Sequence, residues 1–300
     1  MAVITNTIKA SDLAFAQDVE LNRMYDQEVQ EFITLLSINE PQVQTAGTAI
    51  YQYSITGTPV AATTEGDEIP LSKYTETKGD PYIVTIRNYR KLTTQKAIQN
   101  SGYEHAVNRT DRELMKDLRI ATVQQLFSAL DADGVTTATG ADFKKALVNA
   151  NSALVTAMEQ AGDTIRMPVF FVNRQDYADY VGANDVHNDG SGNVFGMTYI
   201  QNLAGINGIV MQTSRVESGT IFATDTQNLH LYVPDYGATA NGGLEYQISD
   251  LGVISTHHAP SYERAGVQTF VNAGLMVIPE FVNYICKATI GATGATGGTN

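Results

Sequence analysis

Two alternating stretches separated by a long polar connector constrain this chain more than any other feature. Tyr51, Tyr53 and Ile55 alternate with Gln52, Ser54 and Thr56 across 50–56, and Tyr82, Val84 and Ile86 alternate with Ile83, Thr85 and Arg87 across 82–91. A period of two with one apolar face is the pattern of a β-strand, so the second stretch is read as the returning partner of the first. Between them, Gly57 to Pro81 is 25 residues rich in Thr, Gly and Pro. Compact domains rarely carry such a loop unless it has a function or is disordered. A ribbon with about 20 residues per arm would reach about 65 Å, and a two-stranded ribbon is marginal unless buried on something. The connector holds Glu65, Asp67, Glu68, Glu76 and Asp80 against Lys73 and Lys78, a net −3. The stem carries Arg87, Arg90, Lys91 and Lys96 with no acid before Ala97, a net +4. Opposite charges at opposite ends of one ribbon invite pairing between copies. Glu65, Asp67, Glu68, Glu76, Arg87, Arg90 and Lys91 are therefore the candidate subunit-contact residues.

The flanking segments read as helices and an α/β lobe. Residues 1–45 carry Lys9 and Arg23 against seven acids, a net −5, and Leu13, Phe15, Val19, Met24, Val29, Phe32 and Leu35 recur without Gly or Pro after a Ser11 cap. This predicts an acidic amphipathic arm. From Ser101, with Ser101/Glu104 and Thr110/Glu113 as capping boxes, Leu114, Met115, Leu118, Leu126, Ala129 and Leu130 share one arc. A helix to Leu130 would be about 45 Å long. Phe143, Leu147, Ala150, Leu154 and Met158 then recur at helical spacing up to Gly162, and Met167 to Val172 is an unbroken apolar run of strand length. Strands are expected at 206–212, 220–223 and 229–233, and the net charge over 141–249 is −6. Gly252 to Ile290 is strand-like, with Val282, Tyr284, Cys286, Ala288 and Ile290 on one face, and GATGATGGTN reads as a mobile tail or linker.

Composition narrows the function classes. Charged residues are only 17% of the 300, below the roughly 25% of ordinary soluble domains, so much of the surface is neutral polar or covered by assembly. A net charge of −13 argues against holding nucleic acid by phosphate neutralisation. No apolar run reaches the eighteen or so residues of a membrane span, and the start lacks the basic and apolar regions of a secretory signal, so a cytosolic chain without a membrane partner is expected. One cysteine, Cys286, permits no internal disulfide.

Sharp chemical motifs are missing, and the weaker ones have plain structural readings. Asp185, His187, Asp189 and Gly190 mimic half a calcium loop, but the position of the bidentate Glu is Gly196, so a turn-rich loop tip is favoured. Asp131 and Asp133 before Gly134 read as a helix end. His257 and His258 are adjacent in a strand and point to opposite faces, one packed and one wet, so neither zinc nor another metal is expected. Cys286 on an apolar strand face reads as a buried inert thiol. No GxSxG, Walker loop or GxGxxG occurs. No catalytic residue, cofactor or metal is assigned.

In order, these pieces are an acidic arm, a long charged hairpin, a spine helix, an acidic α/β lobe and closing strands. This α+β organisation resembles the major capsid proteins of tailed bacteriophages, whose fold is called the Johnson or Hong Kong ninety-seven fold. The segments that carry the likeness are YTETKGDPYIVTIRNYRKLTTQKAIQNSGYEHAVNRTDRELMKDLRIATVQQLFSAL, like an extended loop feeding a spine helix, and INGIVMQTSRVESGTIFATDTQNLHLYVPD, like the late axial strands. The resemblance implies an N-terminal arm (1–45), an extended loop (46–98), a peripheral domain with the spine helix (99–140), an axial domain (141–249), peripheral strands (250–290) and a flexible tail (291–300). It implies a noncatalytic virion protein that forms homo-hexamers and homo-pentamers of an icosahedral head in the host bacterial cytoplasm. Its expected partners are a portal, a scaffold or head-completion proteins, and packaged double-stranded DNA held without sequence-specific binding. No room for a cleaved scaffolding segment is seen before the arm, so either a mature sequence or a separate scaffold is expected. The family's type member crosslinks a loop lysine to a peripheral asparagine; Lys73, Lys78, Asn272 and Asn283 are the residue types that would serve, with solvated polar contacts the plainer reading. An encapsulin compartment would use the same fold, and a small cytosolic α/β enzyme is the rival from another class.

Overall fold

A computed structural model of the chain describes residues 10–60, 68, 70–183, 190–237 and 245–291. In chain order these form α1 (Ala10–Leu36), β1 (Gln42–Gln44), β2 (Ala49–Thr58), β3 (Lys73–Ile83), β4 (Arg87–Thr94), α2 (Gln95–Ser101), α3 (Arg109–Leu130), β5 (Thr136–Gly140), α4 (Phe143–Ala161), β6 (Pro168–Asn173) and α5 (Arg174–Ala183). There follow β7 (Gly190–Val194), β8 (Met197–Gln201), β9 (Ile209–Thr213), β10 (Thr220–Asp225), β11 (Leu229–Pro234), β12 (Gln247–Ile248), β13 (Ile254–Ser261), β14 (Gly266–Ala273), β15 (Met276–Pro279) and β16 (Ile285–Ile290). No described helix is long and apolar enough to cross a membrane.

The centre is a mixed seven-stranded sheet in the order β5-β16-β10-β6-β9-β8-β7. Its middle strand β6 is the expected apolar run, and it is apolar throughout because both faces are covered. Val169 and Phe171 point to one side, where α1, α3 and the peripheral strands pack. Phe170 and Val172 point to the other, where Leu147, Ala150, Leu154 and Met158 of α4 pack. The Asp142 carboxylate caps α4 by accepting from Lys145 N–H at 2.8 Å, and Gly162 closes its C-terminus. At β16 the two faces separate residue by residue: Ile285 joins the first cluster, Cys286 and Ala288 the second.

This sheet draws strands from both sides of the boundaries that the resemblance implies. β5 pairs in parallel with β16, and β16 pairs antiparallel with β10, so segments assigned to the peripheral domain complete the sheet of the axial one. β11, assigned to the axial domain, lies instead in a three-stranded sheet, β1-β11-β15. Strand pairing follows which apolar faces meet, and a linear division of the chain cannot express that.

A second four-stranded sheet, β12-β13-β14-β4, lies with α1 and α3. The arm helix forms, but Ser11 lies inside it rather than at its cap, Met24 of the expected apolar face is exposed, and Leu21, Tyr25, Val29, Phe32, Ile33 and Leu36 are buried against this chain's own body. The β7–β8 turn reaches up to meet it: Phe195 lies 5.4 Å from Phe32 and 6.3 Å from Tyr25, centroid to centroid. Asn22 donates to Gln247 O at 2.7 Å and accepts from Thr256 Oγ1 at 2.9 Å, tying the same helix to β12 and β13.

The spine helix differs from its expected form. α2 is capped by Thr94, whose Oγ1 accepts from Ala97 N–H at 3.3 Å, and it ends at Gly102 with φ 76°. A non-glycine residue would be strained there. A π turn, Glu104–Asn108, leads into α3. Neither expected capping box acts as a cap: Ser101 ends α2, and Thr110 donates back to Ala106 O at 3.0 Å within the helix. On α3 the expected arc is buried except for the half-buried Leu114, with Met115, Leu118, Leu126, Ala129 and Leu130 all 9% exposed or less, while Glu113, Lys116, Asp117, Gln124 and Ser128 face solvent.

Candidate functional site

The hairpin is β2 paired antiparallel with β3, from Ala49↔Ile83 to Thr58↔Lys73. The returning strand therefore begins at Lys73, earlier than the expected 82–91. The expected partner is divided: Tyr82 and Ile83 end β3, Val84 is fully buried against Met276 and Ile278, and Arg87 onward forms β4, which pairs with β14. Val84 is pinned from both sides, its N–H donating to Thr48 O at 2.9 Å and its carbonyl accepting from Gly47 N–H at 2.7 Å. Burying that valine turns the chain out of one sheet and into another.

The root of the hairpin is fixed by a bulge between Tyr51 and Tyr53 that turns Gln52 inward. Gln52 is 3% exposed and donates to Pro279 O at 3.0 Å and Ala129 O at 3.3 Å. Its carbonyl oxygen accepts from Tyr82 OH at 3.4 Å, and Tyr53 N–H donates to Glu280 O at 2.9 Å. Lys78 lies over the Tyr51 ring at 5.2 Å and near Tyr53 at 5.9 Å. Beyond this root the described residues of the ribbon are exposed on both faces, including Ile55 (50%), Leu71 (94%) and Tyr74 (60%). The ribbon thus exposes a few apolar side chains among polar ones without cover from its own chain.

The candidate contact residues are dispersed. Glu65 and Asp67 lie outside the described residues; Glu68 is exposed, and Glu76 is exposed on β3 opposite Ile55. Arg87 and Arg90 are exposed on β4, the edge strand of the peripheral sheet, rather than on the hairpin stem. Their spacing of three in a strand puts them on opposite faces, with Arg90 over the Phe270 ring at 5.6 Å. Lys91 is engaged within its own chain: its ammonium donates to the Asp111 carboxylate, to Thr110 Oγ1 and, at 3.0 Å, to Val107 O of the π turn. Thr93 Oγ1 donates to the neighbouring Ala106 O at 3.3 Å, and His258 Nε2 lies 3.0 Å from Asp111 Oδ2. Nothing in the sequence singles out Gln52, which stands on the polar side of its alternating stretch, or Asp111, which belongs to no motif.

The other singled-out residues find structural roles. Of the calcium-like run, Asp185, His187 and Asp189 fall outside the described residues, and Gly190 opens β7. Asp131 follows α3 and bonds Lys287. His258 is buried, and His257 is half-buried between Tyr246 and Phe270. Cys286 is fully buried, which pushes its thiol up to about 11. Asn272 donates to Ser255 Oγ at 3.1 Å inside the peripheral sheet. Among the described residues no group of three His, Cys, Asp or Glu side chains is placed to hold a metal.

No family profile and no curated protein sequence matches the chain. Solved structures do. A capsid subunit of cyanophage A-1(L) is 14% identical, covers 87% of this chain and 93% of its own, and superposes with a TM-score of 0.55. The fold is that of the Hong Kong ninety-seven capsid shells. An encapsulin of Synechococcus elongatus PCC 7942, from the holo-SrpI complex, is 12% identical, covers 96% and 92% of the two chains and gives 0.52. In both comparisons the likeness runs along most of each chain.

Proposed function

We propose that this chain is a noncatalytic shell protein whose copies form the hexamers and pentamers of an icosahedral phage head around double-stranded DNA. The observation that carries this reading is the β2–β3 ribbon: it is anchored at Gln52 and Tyr53, and its described outer residues are left uncovered by the chain that makes them. A capsid fold supplies the partner of suitable shape, a second copy. Many modest contacts, repeated around closed rings, add up to a durable shell. The −13 net charge suits a container whose DNA must stay mobile, because a basic lining would hold it. A portal, a scaffold or head-completion proteins complete such a particle, which assembles in the host cytoplasm.

Within the shell, Glu65, Asp67, Glu68 and Glu76 of one ribbon meet Arg87 or Arg90 of a neighbour; Lys91, held by Asp111, is left out of that pairing. Electron microscopy of the protein expressed alone tests the reading: closed particles support it, and a persistent 32.5 kDa monomer with a ligand-binding cleft would return the small-enzyme alternative. Single reversals such as Glu76→Lys or Arg87→Glu impair assembly and the paired reversal restores it; normal assembly of the single variants removes the pairing. The encapsulin likeness keeps a protein-cargo compartment as the second reading. Particles containing protein instead of DNA decide for it.

A further inference from the structure

The loop that carries β8 into β9 contains an Asn–Gly pair, Asn207–Gly208; the chain's other such pair, at 241–242, lies outside the described residues. The loop is tightly built. Gln201↔Ile209 ends the β8–β9 ladder beneath it, and Asn202 N–H donates to Gly208 O at 3.0 Å across its base. Asn202 and Ala204 stand at φ 55° and 56°, left-handed conformations costly for residues with a β-carbon. Ile206 N–H donates to Leu203 O at 3.1 Å, and both residues are buried in the cluster on the α4 side of the central sheet. A β-carbon on Gly208 would lie 2.6 Å from Pro168 O, so only glycine lets the loop close onto β6. Both neighbours of Asn207 are thus fixed.

Asn207 itself is not fixed. It is exposed between the buried Ile206 and Gly208, and among the described residues its side chain takes part in no hydrogen bond. Gly208 N–H likewise donates to no backbone carbonyl of the described loop. Asn193 and Asn228 differ in this respect, since the first accepts from Thr198 Oγ1 at 2.9 Å and the second donates to Phe281 O at 3.0 Å. An asparagine side chain carries an electrophilic carbonyl carbon within reach of the next residue's backbone nitrogen. Joining two such groups in one short segment replaces a collision by an internal rotation. A following glycine puts no side chain in the way.

We propose that Asn207–Gly208 is a self-modification site, at which the chain deamidates itself through a cyclic imide and the folded loop directs that ring to open to aspartate rather than isoaspartate. In the first step the Gly208 nitrogen loses its proton and bonds to Asn207 Cγ, while the Cγ–Nδ2 bond breaks and ammonia leaves with that proton. In the second step water adds to a ring carbonyl and the ring N–C bond breaks. Attack at Cγ returns the ordinary main chain with a carboxylate at 207. Attack at the backbone carbonyl places an extra methylene in the main chain. Ile206 is anchored in the core and Gly208 is held by Asn202 and by its packing on Pro168, so the lengthened product strains the loop and the aspartate product does not. Each conversion adds one negative charge to a chain that already carries −13. The inference concerns the single subunit and stands apart from the shell reading.

The test incubates the full-length protein in ¹⁸O-labelled water at neutral and at alkaline pH and maps its peptides by mass spectrometry, with fragmentation that separates aspartate from isoaspartate. Asn207→Asp supplies the product standard, its melting temperature checks that the loop tolerates the carboxylate, and Asn207→Ser is the variant without an amide. Asn207 is expected to convert about tenfold faster than Asn193 or Asn228, a barrier lower by about 1.4 kcal/mol. Conversion is expected to quicken with pH, because the attacking nitrogen must lose its proton, and to carry ¹⁸O into the new carboxylate. Aspartate is expected to predominate in the folded protein, and isoaspartate to rise when the same incubation is run in urea. Conversion of Asn207 no faster than that of Asn193 overturns the site. Rapid conversion with the same product ratio in folded and unfolded chains overturns the steering by the loop. Either result leaves the assembly of the chain, read by electron microscopy, to decide the shell reading separately.

Discussion

His258 Nε2 lies 3.0 Å from Asp111 Oδ2, joining the peripheral strand β13 to the first turn of the spine helix α3. Both side chains are almost fully buried, at 1% and 3% exposure, and Lys91 of β4 closes the cluster on the other carboxylate oxygen. Lys91 and Thr93 also donate to the Val107 and Ala106 carbonyls of the π turn. Two strands of one sheet thus hold the irregular start of the spine.

Removing the shared carboxylate strands a buried imidazole and an ammonium together. Asp111→Ala is expected to destabilise the subunit by about 3–5 kcal/mol, the range for breaking a buried charge pair on one side. Urea unfolding measures it. A loss under about 1 kcal/mol, within the worth of an exposed pair, would show that the cluster holds nothing.

Asp26 behaves in the opposite sense. Its Oδ2 accepts from Leu251 N–H at 3.2 Å, but its buried Oδ1 has no hydrogen-bond partner. Burial raises its carboxyl above the ordinary 3.8 and outweighs the lowering influence of the neighbouring Ser249 hydroxyl and the Leu251 N–H. The native state therefore keeps its proton at pH values where the unfolded chain has lost it, so stability falls as pH rises from the ordinary value through the raised one. Asp26→Asn, which can still accept from Leu251, is expected to melt above wild type at pH 7 and level with it below pH 3. Melting curves that run parallel at both pH values would remove this account.

Cys286 is sealed within the α4 side of the central sheet. With its thiol pushed up to about 11, little thiolate exists at neutral pH, and access is blocked as well. Native protein is expected to resist alkylation at pH 8 and to react fully once unfolded in guanidinium, as followed by mass spectrometry. Rapid native labelling would contradict the packing of β16.

Gln52 links the ribbon to the body through the Ala129 and Pro279 carbonyls. Gln52→Ala leaves both acceptors without that donor, at a cost of about 1–3 kcal/mol. Hydrogen exchange is expected to quicken in β2 and β3 while β6 and β10 keep their protection. Uniform quickening would mean that Gln52 supports the whole fold rather than the ribbon.

Elements that bury apolar residues in their own chain were legible. Phe143 to Met158 repeat at helical spacing because α4 covers one sheet face, and residues 167–172 run apolar because β6 is covered on both. β3 was not legible. Its Lys73–Ile83 sequence shows no apolar alternation, since at most Tyr82 is partly covered by this chain, and periodicity records only burial. Arg87, Arg90 and Lys91 looked like one basic stem for the same reason: nothing local states that Val84 is buried and turns the strand away.

The sequence by itself determined the acidic balance, the helical arcs of α1, α3 and α4, the buried strand β6 and the order of parts that marks a capsid fold. These follow from residue type and spacing, which act over a few residues. Only the tertiary structure decided that β16 completes the central sheet, that Gln52 turns inward and that Asp111 binds both Lys91 and His258. Those partners stand far apart in the chain, and their energy exists only once folding has removed water from between them.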